Sequence, residues 1–136
     1  MRDYAKYLIE RFGISKEIVR KFKFVERGRS VWAFTGKIIP NKWESLGIRA
    51  FRIGKDIKPT TDFLRLIGRY ATKNVVFLSN DEVNNFMRGE SLKCNGKLHG
   101  YVIVRTDKFI LGCGFCKDGK LISMIPKRYR FQDTWI

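Results

Sequence analysis

The chain has 136 residues, a mass of 16.0 kDa and a formal charge of +15, with 44% hydrophobic and 14% aromatic residues. That apolar content suffices for a packed core and excludes wholesale disorder, and the length suits one domain or one domain with a small attached module. No apolar run is long enough to span a bilayer as a helix, and the start Met1-Arg-Asp-Tyr-Ala-Lys6 turns polar too early for a secretory signal.

Lys and Arg outnumber Asp and Glu by 12 to 5 in residues 1–50, by 9 to 5 in 51–100 and by 7 to 3 in 101–136, so the excess is not parked in a tail. A basic folded domain attracts phosphates, whose counterions are released on neutralisation. Nucleic acid is the first partner this implies and an anionic membrane surface the second. Three cysteines are an odd count, which argues against a closed disulfide framework and for a reducing, cytoplasmic setting.

Residues 3–12 have the pattern of an amphipathic helix with Tyr4, Tyr7, Leu8 and Phe12 on one side and Gly13 as its C-terminal stop. Ser15 is placed to cap a second short helix, with Ile14 and Val19 spaced as a hydrophobic staple. Phe22 and Phe24 alternate with lysines, and Val31 to Thr35 follows after Arg27-Gly-Arg-Ser30, which predicts a hairpin. Residues 36–47, with Gly36, Pro40, Asn41 and Gly47, read as a loop and a module boundary. Gly47 to Ile53 alternates like a half-buried strand.

The stretch Lys58 to Lys73 predicts a helix with Thr61 as N-cap and an apolar stripe of Phe63, Leu64, Ile67, Tyr70 and Ala71. Arg65, Arg69 and Lys73 then stack four residues apart on another face. Like charges at that spacing repel by roughly 0.2–0.5 kcal/mol per pair, so folding gives no reason for them, whereas a polyanion does. Asn74 to Leu78 is a short apolar strand, and Ser79-Asn-Asp-Glu82 is a capping box for a helix through Met87 that stops at Gly89. From Gly100 onward only strands are predicted: 101–104, 109–115 and 121–125, joined at Thr106-Asp107 and by Asp118-Gly119, a type I′ signal. The end, Pro126-Lys-Arg-Tyr-Arg-Phe131, interleaves cations with aromatics.

Catalytic constellations are mostly missing from the sequence. A single histidine, His99, leaves no Ser-His-Asp or Cys-His arrangement, and no glycine-rich fingerprint announces a nucleotide cofactor. Cys94, His99, Cys113 and Cys116 amount to four zinc ligands by type, but 109–116 reads as a strand, on which residues three apart point to opposite faces. The cysteines are therefore read as buried and structural, with no cofactor expected. The binding signals are richer: Lys58, Arg65, Arg69 and Lys73 in one region, and Lys127, Arg128 and Arg130 around Tyr129 in another, where a base stacks on the ring while cations hold phosphates. Arg105, Lys108, Lys117 and Lys120 at the hairpin tips add to the field.

Phe86-Met-Arg-Gly-Glu90, Gly100-Tyr-Val-Ile-Val104, Leu111-Gly-Cys-Gly114 and Leu121 through Pro126-Lys-Arg-Tyr-Arg130 resemble a PUA-type RNA-binding domain. The likeness is to the C-terminal region of Sun-family (NOL1/NOP2/Sun) RNA cytosine-5 methyltransferases. Lys58-Pro-Thr-Thr-Asp62, Ala71-Thr-Lys-Asn-Val-Val76 and the Tyr7 to Ile14 start are similar to it too. The resemblance implies an α+β fold in which a PUA-like pseudo-barrel of mixed strands with flanking helices occupies 47–136, after a small N-terminal α/β module at 1–46. It also implies RNA contacts at Gly54 to Arg69 and at Lys117 to Arg130. The methyltransferase domain and its paired catalytic cysteines are not in this sequence, so recognition without chemistry is expected.

The expectation is thus a stand-alone, cytoplasmic, non-enzymatic protein that holds structured rRNA or tRNA and serves RNA modification or ribosome biogenesis in trans, with an RNA methyltransferase as a possible partner and no membrane. Two rivals come from other classes: a protein-interaction subunit that docks through Tyr4, Tyr7 and Phe12, and a zinc- or thiol-dependent enzyme.

Overall fold

The computed structural model describes residues 3–35 and 47–130. Contacts divide the chain into two compact units, Met1–Lys73 and Asn74–Ile136.

The first unit opens with α1 (Tyr4–Phe12), capped by the Asp3 carboxylate and ended by Gly13 in the left-handed conformation at φ 62°. α2 (Lys16–Val19) follows, with the Ser15 hydroxyl accepting from Ile18 N. β1 (Phe22–Arg27) and β2 (Ser30–Thr35) form the expected hairpin, in which Arg27 faces Ser30 across the turn. β3 (Ile48–Ile53) and β4 (Ile57–Pro59) extend it into an antiparallel sheet of order β1-β2-β3-β4. α3 (Thr61–Ile67) lies on this sheet, and a 3₁₀ turn, Gly68–Tyr70, ends it.

Phe51 is the hub of the core. Its ring centroid lies 5.3 Å from Tyr4, 5.6 Å from Tyr7, 6.0 Å from Phe24 and 5.9 Å from Phe63. These spacings are those of attractive aromatic pairs, stacked with Tyr4, edge-on with Tyr7 and tilted with Phe24 and Phe63. Tyr4 also donates its hydroxyl proton to the Glu26 carboxylate on β1. The aromatic side of α1 is therefore consumed by its own unit: Leu8 and Phe12 are fully buried and Tyr4 nearly so. This corrects the expectation that Tyr4, Tyr7 and Phe12 form a docking surface for a partner.

The expected boundary at 46/47 is also corrected. Val31 pairs with Phe51 and Ala33 with Ile48, so β2 and β3 are ladder neighbours and a cut between them would split one sheet. Backbone hydrogen bonds dictate the division, and the loop composition of 36–47, mostly outside the described residues, does not.

In the second unit β5 (Val75–Phe77) leads to α4 (Asn80–Met87), then β6 (Leu92–Lys93), β7 (Gly100–Arg105), β8 (Ile110–Lys117) and β9 (Lys120–Ser123), with a closing 3₁₀ turn at Lys127–Tyr129. The sheet has the order β5-β7-β8-β9-β6. β5 runs parallel to β7 and the other pairings are antiparallel, so this is a curled half-barrel of mixed strands. With helices beside both sheets the fold is α+β, as expected.

Asp118 and Gly119 take φ of 52° and 76°, the two left-handed residues a type I′ turn requires. Lys117 and Lys120 consequently face each other and fix the β8–β9 register. Glu82 accepts from the Ser79 backbone N–H at 3.0 Å and from its hydroxyl at 3.1 Å, holding the start of α4 as predicted. Glu82→Ala removes both bonds and is expected to cost about 1 kcal/mol, read as a lower urea midpoint at unchanged slope. The core under the sheet gathers Leu78, Phe86, Met87, Val102, Val104, Leu111, Cys116, Leu121 and Ile125. Cys116 belongs to it and Cys113 does not; both are buried, on opposite faces of β8.

Candidate nucleic-acid interface

The structure treats the predicted cations unequally, beginning with those of the first unit. Thr60, not Thr61, caps α3: its hydroxyl accepts from Phe63 N at 3.1 Å and donates to Arg49 O at 2.6 Å. The helix stops at Ile67, where glycine follows and the chain tightens into the 3₁₀ turn. By Ala71 the backbone is extended, at ψ 142°. Arg65, Arg69 and Lys73 therefore do not form one helical ridge. A ridge at that spacing needs 3.6 residues per turn as far as Lys73, but the helix ends at Gly68, a poor helix former.

Arg65 remains exposed on α3 beside Leu66, which is 49% exposed. Arg69 is folded onto its neighbour, its guanidinium carbon 4.8 Å from the Tyr70 ring centroid and its Nη2 donating to the Tyr70 hydroxyl at 2.7 Å. Such an Arg–Tyr plane is a ready stacking platform for a base. Lys73 has a structural task instead. Its Nζ donates to the Glu10 carbonyl at 3.3 Å, and the N–H groups of Thr72 and Lys73 both donate to Phe12 O. A cation at the C-terminal end of α1 satisfies carbonyls that the helix leaves open. Lys58 sits half-buried on β4, directly opposite Arg52 of β3.

In the second unit Lys127 and Arg128 are exposed on the last 3₁₀ turn, and the Arg128 guanidinium lies 4.6 Å from the Tyr129 centroid. Tyr129 packs against the core cluster, so its ring is less open than sequence spacing alone implies. Arg130 is a clamp: its Nε donates to Ile125 O at 2.9 Å, and its guanidinium fills the space over Gly89, where a Cβ would come within 2.7 Å of Nη1.

A further surface of this unit was not visible from spacing. Phe77 and Phe109 are 62% and 65% exposed, and they flank the end of β7, where Arg105 lies 5.1 Å over the Phe77 ring. Phe77 was hidden inside an apolar run that reads as a buried strand; β5 is an edge strand, and position 77 reaches solvent. Among the described residues no three of His, Cys, Asp and Glu gather as a metal site. No helix among them is long and apolar enough to cross a membrane.

This second unit is the part of the chain that comparison identifies. Residues 73–131 match the family model of the methyltransferase RsmF PUA domain. This stretch is similar to a PUA domain. Its half-barrel is the pseudo-barrel that the resemblance implied, and PUA domains are RNA-binding modules, not catalytic ones. The match starts at residue 73, so Lys58, Arg65 and Arg69 lie outside it, while Lys127 to Arg130 lie within it. No curated protein matches the chain.

Proposed function

We propose that this protein binds structured RNA, an rRNA or a tRNA, and holds it for RNA modification or ribosome assembly in the cytoplasm. The observation that carries this reading is a PUA domain within a chain of net charge +15. Folded RNA offers phosphates at fixed spacing and a few unpaired bases, which suits clusters of cations beside exposed rings. Lys58, Arg65, Arg69, Lys127 and Arg128 are assigned to phosphates. Lys73 and Arg130 also hold the carbonyls of Glu10 and Ile125, and Tyr129 lies under the Arg128 guanidinium. The family model's name points to a methyltransferase, so an RNA substrate of such an enzyme is the first ligand to test.

Neutralising two phosphate contacts in Arg65→Gln/Arg69→Gln is expected to weaken tRNA or rRNA-fragment binding about tenfold near 0.15 M salt. The slope of log K against log salt should fall by about 1.4–1.8. Fluorescence anisotropy across a salt series measures both. Unchanged affinity and slope would remove α3 and its 3₁₀ turn from the interface.

A further inference from the structure

The four strands of the first sheet carry a single carboxylate, Glu26, and it sits on the inner face, in the row Glu26, Val31, Phe51, Pro59. The opposite face is different. Register aligns Arg27 with Ser30, Ser30 with Arg52 and Arg52 with Lys58, so one row across all four strands holds three cations. At about 4.8 Å per strand the row extends roughly 15 Å. The row beside it is Val25, Trp32 and Arg49, with the Arg49 guanidinium carbon 5.4 Å from the Trp32 centroid.

This face turns away from α1 and α3, whose aromatic contacts with the sheet are to inner-face residues such as Phe24 and Phe51. Arg27, Arg49 and Arg52 are exposed, and Arg49, Arg52 and Lys58 have no carboxylate partner among the described residues. Like charges placed directly opposite on a ladder destabilise it, so the Arg52–Lys58 pair has no folding rationale. Apart from Glu26 on the inner face, the Asp56 carboxylate, in the β3–β4 turn, is the acidic group closest to the row in sequence.

We propose that the outer face of this sheet is a second RNA surface, taking a single-stranded segment. Arg27, Arg52 and Lys58 hold its phosphates, and an unpaired base stacks on the Trp32–Arg49 pair. Duplex RNA buries its bases in the helix and presents only phosphates and sugars to such a face, whereas an unstacked base fits a Trp–Arg plane. The inference rests on the reading that the chain binds RNA and adds a site in the unit that lies outside the PUA match.

The test uses the whole chain and two labelled probes, a 12-nucleotide oligouridylate and a blunt RNA hairpin closed by a stable tetraloop. Arg52→Gln/Lys58→Gln is expected to weaken oligouridylate binding about tenfold and to lower its salt slope by about 1.4, with an unchanged or higher Tm because opposed charges are relieved. Trp32→Ala should cost about fivefold or more on oligouridylate and little on the hairpin, and Trp32→Phe should restore most of it. If oligouridylate affinity is unmoved in these variants while Arg65→Gln/Arg69→Gln weakens RNA binding, the surface is wrong and the function stands. Equal losses of Trp32→Ala on both probes overturn the single-strand assignment. If the unmodified chain binds neither probe nor tRNA at low salt, the RNA reading itself falls.

Discussion

Phe51→Ala is expected to destabilise the N-terminal unit by about 3–5 kcal/mol, a large share of the 5–15 kcal/mol that holds a typical domain together. Phe51 is fully buried and meets four other rings within 6.0 Å, contributed by α1, β1 and α3. Its removal leaves a cavity that none of these elements can close alone, because each ring is tied elsewhere: Tyr4 by Glu26, Tyr7 by an edge contact to Phe12 and Phe63 by Phe22. The change should appear in urea unfolding as a lower midpoint and in near-ultraviolet circular dichroism as lost aromatic signal. Phe109→Ala is the control. It truncates a ring of the same size that is 65% exposed, and it should stay within about 0.5 kcal/mol of the parent. A comparable loss in both variants would mean that Phe51 is not the hub described.

Local chemistry was legible in most places, the cap of α3 falling one residue earlier than read, at Thr60. The Asp118-Gly119 turn, the Ser79–Glu82 cap, the Ser15 cap and the Gly13 stop each depend on residues within four positions of one another, and each formed as read. The unit boundary was not legible, because it depends on β2 pairing with β3 across residues 36–46, a long-range hydrogen-bond pattern with no signature in composition. The candidate site divides the same way. Its charge was plain in the count of Lys and Arg, but its layout was not. Lys73 is drawn to the end of α1 by an amino acid stretch sixty residues away in sequence, and Arg130 to the space above Gly89. The row of Arg27, Arg52 and Lys58 exists only once all four strands are in register; along the chain these are three unremarkable cations.

Gly114→Val is expected to destabilise the PUA unit by about 3 kcal/mol, although it adds apolar surface to an apolar core. The backbone at Gly114 does not need a left-handed conformation, so the constraint there is one of space. A Cβ there would lie 2.7 Å from Leu121 Cδ1 and 2.8 Å from Val104 Cγ2, well inside van der Waals contact. Both neighbours are fully buried members of the same cluster, and Val102, directly opposite on β7, leaves no slack on the strand beside it. Overpacking a filled core typically costs 1–3 kcal/mol, and valine adds three carbons where even the first does not fit. The Leu111-Gly-Cys-Gly114 stretch that resembles the PUA family thus has a mechanical meaning at its last position: β8 needs a bare backbone where Val104 and Leu121 close over it. A thermal scan should show a fall in Tm on the order of 10 °C for the transition of this unit. Gly96→Val supplies the contrast, because a Cβ at Gly96 meets nothing within 4 Å and the residue lies in a loop. A small effect at 114 comparable with that at 96 would show that the sheet can flatten to admit the side chain, and would remove close packing as the reason for this glycine.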